Sequence, residues 1–242
     1  MNSESAPGSR DTQAPLILLP GLGGDSRMFR PQRVAFPDLI VPEWIEPLPR
    51  EPLVEYAARL AKEIDPGKPC YIGGVSFGGV VALELATHLN ARECFLIGSI
   101  RSHQELPRRL AMFRPVSSLV MVPKWLSPFV LGCFGRYLPP LRRGVLHQLN
   151  DAEGRFLRWA AQAILRWKPS KGVENLRVFQ IHGDQDLIFP PQLTRADRVI
   201  AGAGHLVSMT HSAAVNGCLR ERMTFRDALP GADSPQGFPE LD

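Results

Sequence analysis

Residues 70–85, CYIGGVSFGGVVALEL, carry the clearest signal for the fold. Its first six residues are apolar or small and are typical of a short strand that is buried on both faces. The residues after Ser76 contain no helix breaker and predict a buried helix. A serine in a sharp turn from strand to helix presents its Oγ for attack on a carbonyl, and Gly74 and Gly78 leave room for that turn. The context favours Ser76 as a nucleophile over an ordinary serine in a glycine-rich turn.

Outward from this stretch, short apolar runs alternate with helical patterns. Residues 53–64 carry apolar side chains at helical spacing, and Pro52 suits the start of a helix. The alternation predicts an α/β fold with a mostly parallel central sheet flanked by helices. The predicted strands are Leu16–Leu19, Leu39–Val41, Cys70–Val75, Cys94–Gly98, Val178–Ile181 and Val199–Ala201.

The length of 242 residues suits one such domain. We expect the domain to span residues 15–226. The segments 1–14 and 227–242 are small and polar and predict flexible tails.

Residues 101–171 interrupt the alternation between the fourth and fifth predicted strands. They are rich in proline, arginine and large apolar residues. Two interpretations stand: a few surface helices, or a helical lid over a pocket. Because long insertions in compact domains tend to be functional, we expect a helical lid.

The loop LPGLGG, residues 19–24, follows the first predicted strand. An oxyanion hole needs two preorganised N–H donors. We expect these donors to be the backbone N–H groups of Leu22 and Phe77, the residue after Ser76. A dinucleotide-binding loop is the alternative, but the glycines at 21, 23 and 24 do not have G-x-G-x-x-G spacing. We therefore expect no cofactor.

Two further loops carry groups suited to acid–base chemistry. The run HGDQD, residues 182–186, places Asp184 and Asp186 at the carboxyl end of a strand, where sites in open α/β sheets collect. The run GAGH ends in His205 just after the last predicted strand.

With these motifs the chain resembles the α/β-hydrolase superfamily, of the serine esterase or thioesterase kind, over about residues 14–225. PGLGG, GVSFGG, GDQD and GAGH occur in the family's order, with nucleophile, acid and histidine following one another along the chain. The resemblance implies that Asp186, the aspartate of Gly-x-x-Asp, is the catalytic acid, with Asp184 as the alternative. It implies His205 as the general base.

The sequence departs from the family pattern at two points. Pro20 stands where a histidine is common, which changes the support of the oxyanion loop. Only 18 residues separate Asp186 from His205. We expect the helix that usually lies between them to be shortened or absent.

The remaining histidines have other interpretations. His182 lies in a predicted strand and is interpreted as structural. His103 and His147 fall in or near the insertion, where contact with a substrate is an open alternative. No pair has the spacing of a metal site, and the chemistry needs no metal.

The charge of the insertion is distinctive. Residues 101–171 contain 13 Lys and Arg against three Asp and Glu, a net of +10, whereas the whole chain carries +4. Three explanations are open: a solvated basic face, an anionic or carrier-bound substrate, or peripheral contact with an anionic membrane through the apolar stretch Val116–Phe134. No nucleic-acid-binding motif accompanies the charge, so we expect no nucleic-acid partner.

Composition indicates where the protein works. The four cysteines have no CxxC spacing and predict reduced core thiols. The first residues show no signal peptide, and Lys124 and two prolines interrupt the longest apolar stretch, so we expect no transmembrane segment. We expect a cytoplasmic enzyme.

These expectations combine into one function. The sequence predicts a serine hydrolase that cleaves a small-molecule carboxylic ester or thioester through a Ser–His–Asp triad and an acyl-enzyme. An acyltransferase or another non-hydrolytic enzyme on this fold is the alternative, and a non-catalytic ligand-binding protein is a further one.

Overall fold

The computed structural model describes residues 14–111 and 151–228. Its centre is a sheet of five parallel strands that lie side by side in chain order, which confirms the predicted parallel sheet. The strands are β1 (Leu16–Leu19), β2 (Cys70–Val75), β3 (Ala91–Ile97), β4 (Val178–Gly183) and β5 (Arg198–Ile200). The helices are α1 (Arg30–Ala35), α2 (Leu53–Ile64), α3 (Phe77–Leu85), α4 (Arg108–Ala111), α5 (Asp151–Arg166), α6 (Val207–Thr210) and α7 (Ser212–Asp227).

Helices cover both faces of the sheet. Successive side chains of a strand point to opposite faces, and those of β1 therefore reach two separate cores. In β1, Ile17 and Leu19 face a core shared with α2, α3 and α5. Leu16 and Leu18 face the other core, which is shared with the region of α1 and with α7. Helix α3 is buried along its whole length, as expected for a helix that is apolar all round.

One predicted strand is wrong. Residues Leu39–Val41 form no strand, and only Ile40 makes a parallel bridge, to Ile17 at the edge of the sheet. Ile40 N–H donates to the carbonyl of Leu16 at 2.9 Å, and Leu18 N–H donates to the carbonyl of Ile40 at 2.9 Å. Pro42 has no N–H to continue the ladder, so the pairing ends there.

The connection from β4 to β5 is short, as the sequence predicts. In the described chain it contains one 3-10 turn, Pro191–Leu193, and no α-helix. Strand β5 is consequently exposed at Arg198 and Val199, which is unusual in a parallel sheet.

The insertion is described only at its two ends, by α4 and α5. The interpretation of residues 101–171 as a lid falls largely on residues 112–150, which lie outside the described chain, and so do Val116–Phe134, Cys133 and His147. Within the described ranges, no helix is long and apolar enough to span a membrane.

Candidate active site

Ser76 lies between β2 and α3 in a backbone conformation that L-residues rarely adopt. Its φ is 53° and its ψ is −121°. Such a conformation costs on the order of 1–3 kcal/mol and persists only where the surroundings enforce it. Here the buried strand before Ser76 and the buried helix after it enforce the turn, which leaves Ser76 partly exposed.

The turn is enforced by a close backbone contact at Gly78. A Cβ at residue 78 would lie 2.3 Å from the carbonyl oxygen of Pro20 and 2.4 Å from that of Leu19. The first turn of α3 therefore rests directly on the end of β1, and only glycine fits there. The same contact brings the loop after β1 beside Ser76.

Three predicted residues from separate loops meet in one hydrogen-bonded chain. His205 Nε2 lies 2.9 Å from Ser76 Oγ. His205 Nδ1 lies 2.9 Å from Asp186 Oδ2 and 3.1 Å from Oδ1. His205 is 7% exposed, and the Phe189 ring packs edge-on against its imidazole at 5.5 Å between centroids. A hydroxyl, an imidazole and a carboxylate in this order can activate the hydroxyl as a nucleophile.

Asp186 is held as a buried carboxylate. Its Oδ1 accepts hydrogen bonds from the N–H groups of Ile188 at 2.8 Å and Phe189 at 3.0 Å. Burial raises the pKa of Asp186, but contacts with His182 and His205 and the backbone donors outweigh burial and place the pKa well below its usual range. Asp184, the alternative acid, is exposed and does not contact His205 in the described structure.

The loop after β1 is a tight turn beside Ser76. Gly24 N–H donates to the carbonyl of Gly21 at 2.9 Å, which places Leu22 within the turn. A Cβ on Gly21 would lie 3.5 Å from Ser76 Cβ, so the turn lies against the serine. Phe77 is the first residue of α3, and its N–H has no intrahelical acceptor. Both predicted oxyanion donors, Leu22 and Phe77, thus belong to segments that flank Ser76.

Met28 supports this loop, and sequence analysis missed it. Its Sδ accepts a hydrogen bond from Gly21 N–H at 3.3 Å. Thioether sulfur is a weak acceptor. This contact stabilises the loop in which Pro20 replaces the common histidine.

The turn after β3 lies against Ser76, His205 and Asp186. Its role was not predicted from the sequence. Ser99 Oγ donates to the carbonyl of Ser76 at 2.7 Å. Gly98 has a φ of 54°, and a Cβ there would lie 2.9 Å from the carbonyl of His205 and 3.6 Å from Asp186 Oδ2. The signal available was position alone, because these residues follow a central strand at its carboxyl end.

Aromatic side chains of α5 pack on the residue after the nucleophile. The Phe156 and Trp159 rings lie 6.3 and 6.0 Å from the Phe77 ring, both edge-on. Trp44 lies 5.7 Å from Phe77. The end of the insertion therefore contributes an aromatic wall beside Phe77.

The other predicted site residues lie as follows. His182 is fully buried in β4, and His103 is partly buried in the turn before α4. Among residues 14–111 and 151–228, no group of three His, Cys, Asp or Glu is arranged to hold a metal ion.

Comparison with known families assigns the chain to one of them. Residues 16–217 match the model of the alpha/beta hydrolase family. The chain therefore belongs to that family, and it is an enzyme of the hydrolase type. No curated protein matches the sequence significantly.

Solved structures show the same fold at low sequence identity. A thermophilic esterase from Thermogutta terrifontis has a TM-score of 0.66 and 21% identity, over 88% of this chain and 90% of the esterase. An enol-lactonase from Burkholderia xenovorans LB400 has a TM-score of 0.63 and 18% identity, over 90% and 94% of the two chains. ClbQ from the colibactin NRPS/PKS pathway has a TM-score of 0.62 and 17% identity, over 88% and 99%.

The close contact at Gly78 makes a first prediction. In Gly78→Ala, the added Cβ must push α3 away from the backbone of Leu19 and Pro20. We expect kcat/KM to fall by about a hundredfold or more, because displacement of a nucleophile by about 1 Å has this effect. The control is Gly217→Ala on α7, where a Cβ meets no atom within 4 Å. The control should keep full activity and gain up to about 1 kcal/mol of stability in urea denaturation. A fully active Gly78→Ala variant would contradict the prediction.

Proposed function

We propose that this protein is a serine hydrolase that cleaves a carboxylic ester or thioester, with Ser76 as nucleophile, His205 as general base and Asp186 as the acid. The observation that carries the proposal is the hydrogen-bonded chain from Ser76 Oγ through His205 to Asp186, with both contacts to the imidazole at 2.9 Å. The alpha/beta hydrolase family to which the chain belongs supports it.

The first half-reaction acylates Ser76. Ser76 Oγ attacks the carbonyl carbon while His205 Nε2 takes the hydroxyl proton. The tetrahedral intermediate then collapses: the bond to the alcohol or thiol breaks, and His205 returns the proton to the leaving group. Asp186 accepts the Nδ1 hydrogen bond of His205 throughout, which fixes the tautomer and stabilises the imidazolium.

The second half-reaction releases the acid. Water attacks the acyl carbonyl and gives a proton to His205, and Ser76 recovers that proton as the carboxylic acid leaves. In both steps the negative oxygen is received by the N–H groups of Leu22 and Phe77. Loss of one such donor costs about 2.7–4 kcal/mol in other enzymes.

The same three groups also serve an acyltransferase, in which an alcohol, amine or thiol replaces water. Hydrolysis is preferred here because the chain belongs to a family of hydrolases. The hydrogen bonds along the triad argue against a non-catalytic binding protein.

An anionic or carrier-bound substrate fits the charge of the insertion. In its described part, the exposed side chains of Arg108, Arg109 and Arg158 belong to α4 and α5. Helix α5 lies beside the oxyanion loop, because Leu157 is 3.9 Å from the Cβ position of Gly23. Positive charge close to the reacting centre attracts an anionic substrate. We accordingly propose that α5 belongs to a lid that guides an anionic ester or thioester.

The described cysteines support a cytoplasmic enzyme. Cys70, Cys94 and Cys218 are free, buried thiols. Burial raises the pKa of the Cys70 thiol to about 12, which keeps it in the unreactive neutral form.

The nucleophile is tested by covalent labelling. A fluorophosphonate should label the wild-type protein at Ser76, because His205 activates that hydroxyl, and Ser76→Ala should not be labelled. Hydrolysis of p-nitrophenyl esters should fall in the same variant by a factor of about 10⁴ or more. The measurements are mass spectrometry of the labelled peptide and initial rates. An unlabelled wild type, or equal labelling of the variant, would refute the assignment.

Substitutions of Asp186 and Asp184 can be compared to test which of the two is the catalytic acid. Asp186→Asn should lower kcat by a factor of about 10³–10⁴, because an amide stabilises neither the correct tautomer nor the imidazolium. Asp184→Asn, at an exposed position two residues away, should change kcat by less than about twofold. The reverse order would transfer the role to Asp184.

The dependence of KM on salt concentration tests whether the basic residues of the insertion attract the substrate. KM for an ester with a carboxylate in its acyl group should rise several-fold as salt increases from about 0.05 to about 0.5 M, because screening weakens attraction by exposed charges. KM for a neutral ester of the same length should stay constant. Arg158→Gln should reduce the salt effect, whereas Arg220→Gln on α7 should not. A flat response for the anionic ester would leave the basic residues as a solvated face only.

A further inference from the structure

The hydroxyl of Ser99 is a buried donor for which the triad chemistry has no use. Ser99 lies in the turn after β3 and is 0% exposed. Its Oγ donates to the carbonyl oxygen of Ser76 at 2.7 Å, because that oxygen can only accept. The N–H groups of Gly79 at 3.0 Å and Val80 at 3.4 Å point to the same oxygen. Both of these belong to α3, so Ser99 is the one of the three donors that lies outside the helix.

The carbonyl of Ser76 and the N–H of Phe77 belong to one peptide unit. A trans peptide is planar, and its C=O and N–H point in opposite directions. The described chain contains no cis peptide bond. A donor that fixes the carbonyl therefore also fixes the direction of Phe77 N–H, the proposed oxyanion donor. A hydrogen bond to the carbonyl further polarises the peptide and makes its N–H a stronger donor.

Ser99 is itself held in place by two buried side chains of β4. Its carbonyl accepts from Gln180 Nε2 at 2.8 Å. It lies 2.9 Å from His182 Nε2, and because a carbonyl can only accept, the imidazole donates. The amide oxygen of Gln180 accepts from Arg101 Nε at 2.8 Å, which sets the orientation of the amide. Ser99, Gln180 and His182 are all 0% exposed, so the hydroxyl of Ser99 has a fixed position relative to the sheet.

Gly79 leaves the space that this hydroxyl occupies. A Cβ at residue 79 would lie 2.5 Å from Ser99 Oγ and 2.6 Å from Ser99 Cβ. On the other side of the peptide chain, the N–H of Ser76 donates to the carbonyl of Ile97 at 3.0 Å. The segment from Ile97 to Ser99 therefore binds both the N–H and the C=O of the residue whose backbone conformation is strained.

We propose that Ser99 is a positioning residue of the oxyanion hole: its hydroxyl holds the peptide between Ser76 and Phe77 so that Phe77 N–H is directed at the oxygen of the reacting carbonyl. This proposal rests on the proposed function, in which Ser76 is the nucleophile. Ser99 acts through the peptide and does not touch the substrate. Because the oxygen becomes negative only as Ser76 attacks, Ser99 stabilises the tetrahedral intermediate more than the bound ester.

Substitutions of Ser99 remove or weaken the donor. In Ser99→Ala the carbonyl keeps only the two donors of α3, and kcat should fall about tenfold, as expected for the loss of one ordinary hydrogen bond. In Ser99→Cys a thiol, which is a weak donor, replaces the hydroxyl and should give a smaller loss. Ser208→Ala is the control. It also removes a fully buried hydroxyl, but one that makes no hydrogen bond in the described structure, so kcat should not change.

Two inhibitors with the same acyl chain separate the intermediate from the bound ground state. With a trifluoromethyl ketone, Ser76 Oγ bonds to the carbonyl carbon, His205 takes the hydroxyl proton, and the ketone oxygen becomes an oxyanion in the hole. The corresponding trifluoromethyl alcohol cannot form this bond. In Ser99→Ala the Ki of the ketone should rise about tenfold, and the Ki of the alcohol should stay constant. A Ki does not depend on the fraction of folded protein, so poor folding cannot imitate this result.

A rise in Ki that is confined to the ketone, and is larger in Ser99→Ala than in Ser99→Cys, supports the proposal. An unchanged ratio of the two Ki values in Ser99→Ala overturns it, whether or not the yield of folded protein falls. The proposed function fails instead if the ketone binds the wild type no better than it binds Ser76→Ala, and the role of Ser99 fails with it.

Discussion

The contact between the first turn of α3 and the end of β1 is the constraint on which the site depends. Gly78 lies so close to the carbonyls of Leu19 and Pro20 that no side chain fits between them. Because α3 is buried on all sides, it cannot move away from β1 without opening the core. This contact forces Ser76 into its rare backbone conformation and brings the loop of Leu22 beside it. The strain at Ser76 is therefore maintained by core packing.

Much of the fold was predictable because its signals are local. Strands β1 and β2 begin and end where their apolar runs do, since a polar or turn-forming residue follows each run. Bounds that depend on a partner were less predictable: β3 begins at Ala91, three residues before the predicted start, because Ala91 pairs with Cys70. The predicted strand Leu39–Val41 failed for the same reason. An apolar run becomes a strand only if a neighbour offers a ladder of several residues, and here it offers one bridge.

Site residues were likewise predictable where the signal is local and were missed where it depends on distant segments. Ser76 and His205 each have a position after a strand that the sequence shows directly. The choice between Asp184 and Asp186 is not visible locally, because both follow β4 within one turn. In the structure the turn closes with Asp186 N–H on the carbonyl of Gly183, and it leaves Asp184 exposed. Met28 and Ser99 act through contacts between distant segments, and no pattern around either residue indicates them.

Buried polar groups lie beside the short connection between Asp186 and His205. With no α-helix over β4 and β5 in the described chain, apolar packing from that side is reduced, and β5 is exposed. The loops after β3 and β4 are instead linked by hydrogen bonds: Glu105 accepts from Arg195 N–H and from the side-chain amide of Gln180, and Gln180 N–H donates to Asp197. Glu105 and Gln180 are buried and would be costly to leave without partners, so these hydrogen bonds couple the two loops. Together with the hydrogen bond of Asp186 to His205, they link the loops after β3, β4 and β5 at a place where the described chain has no α-helix between β4 and β5.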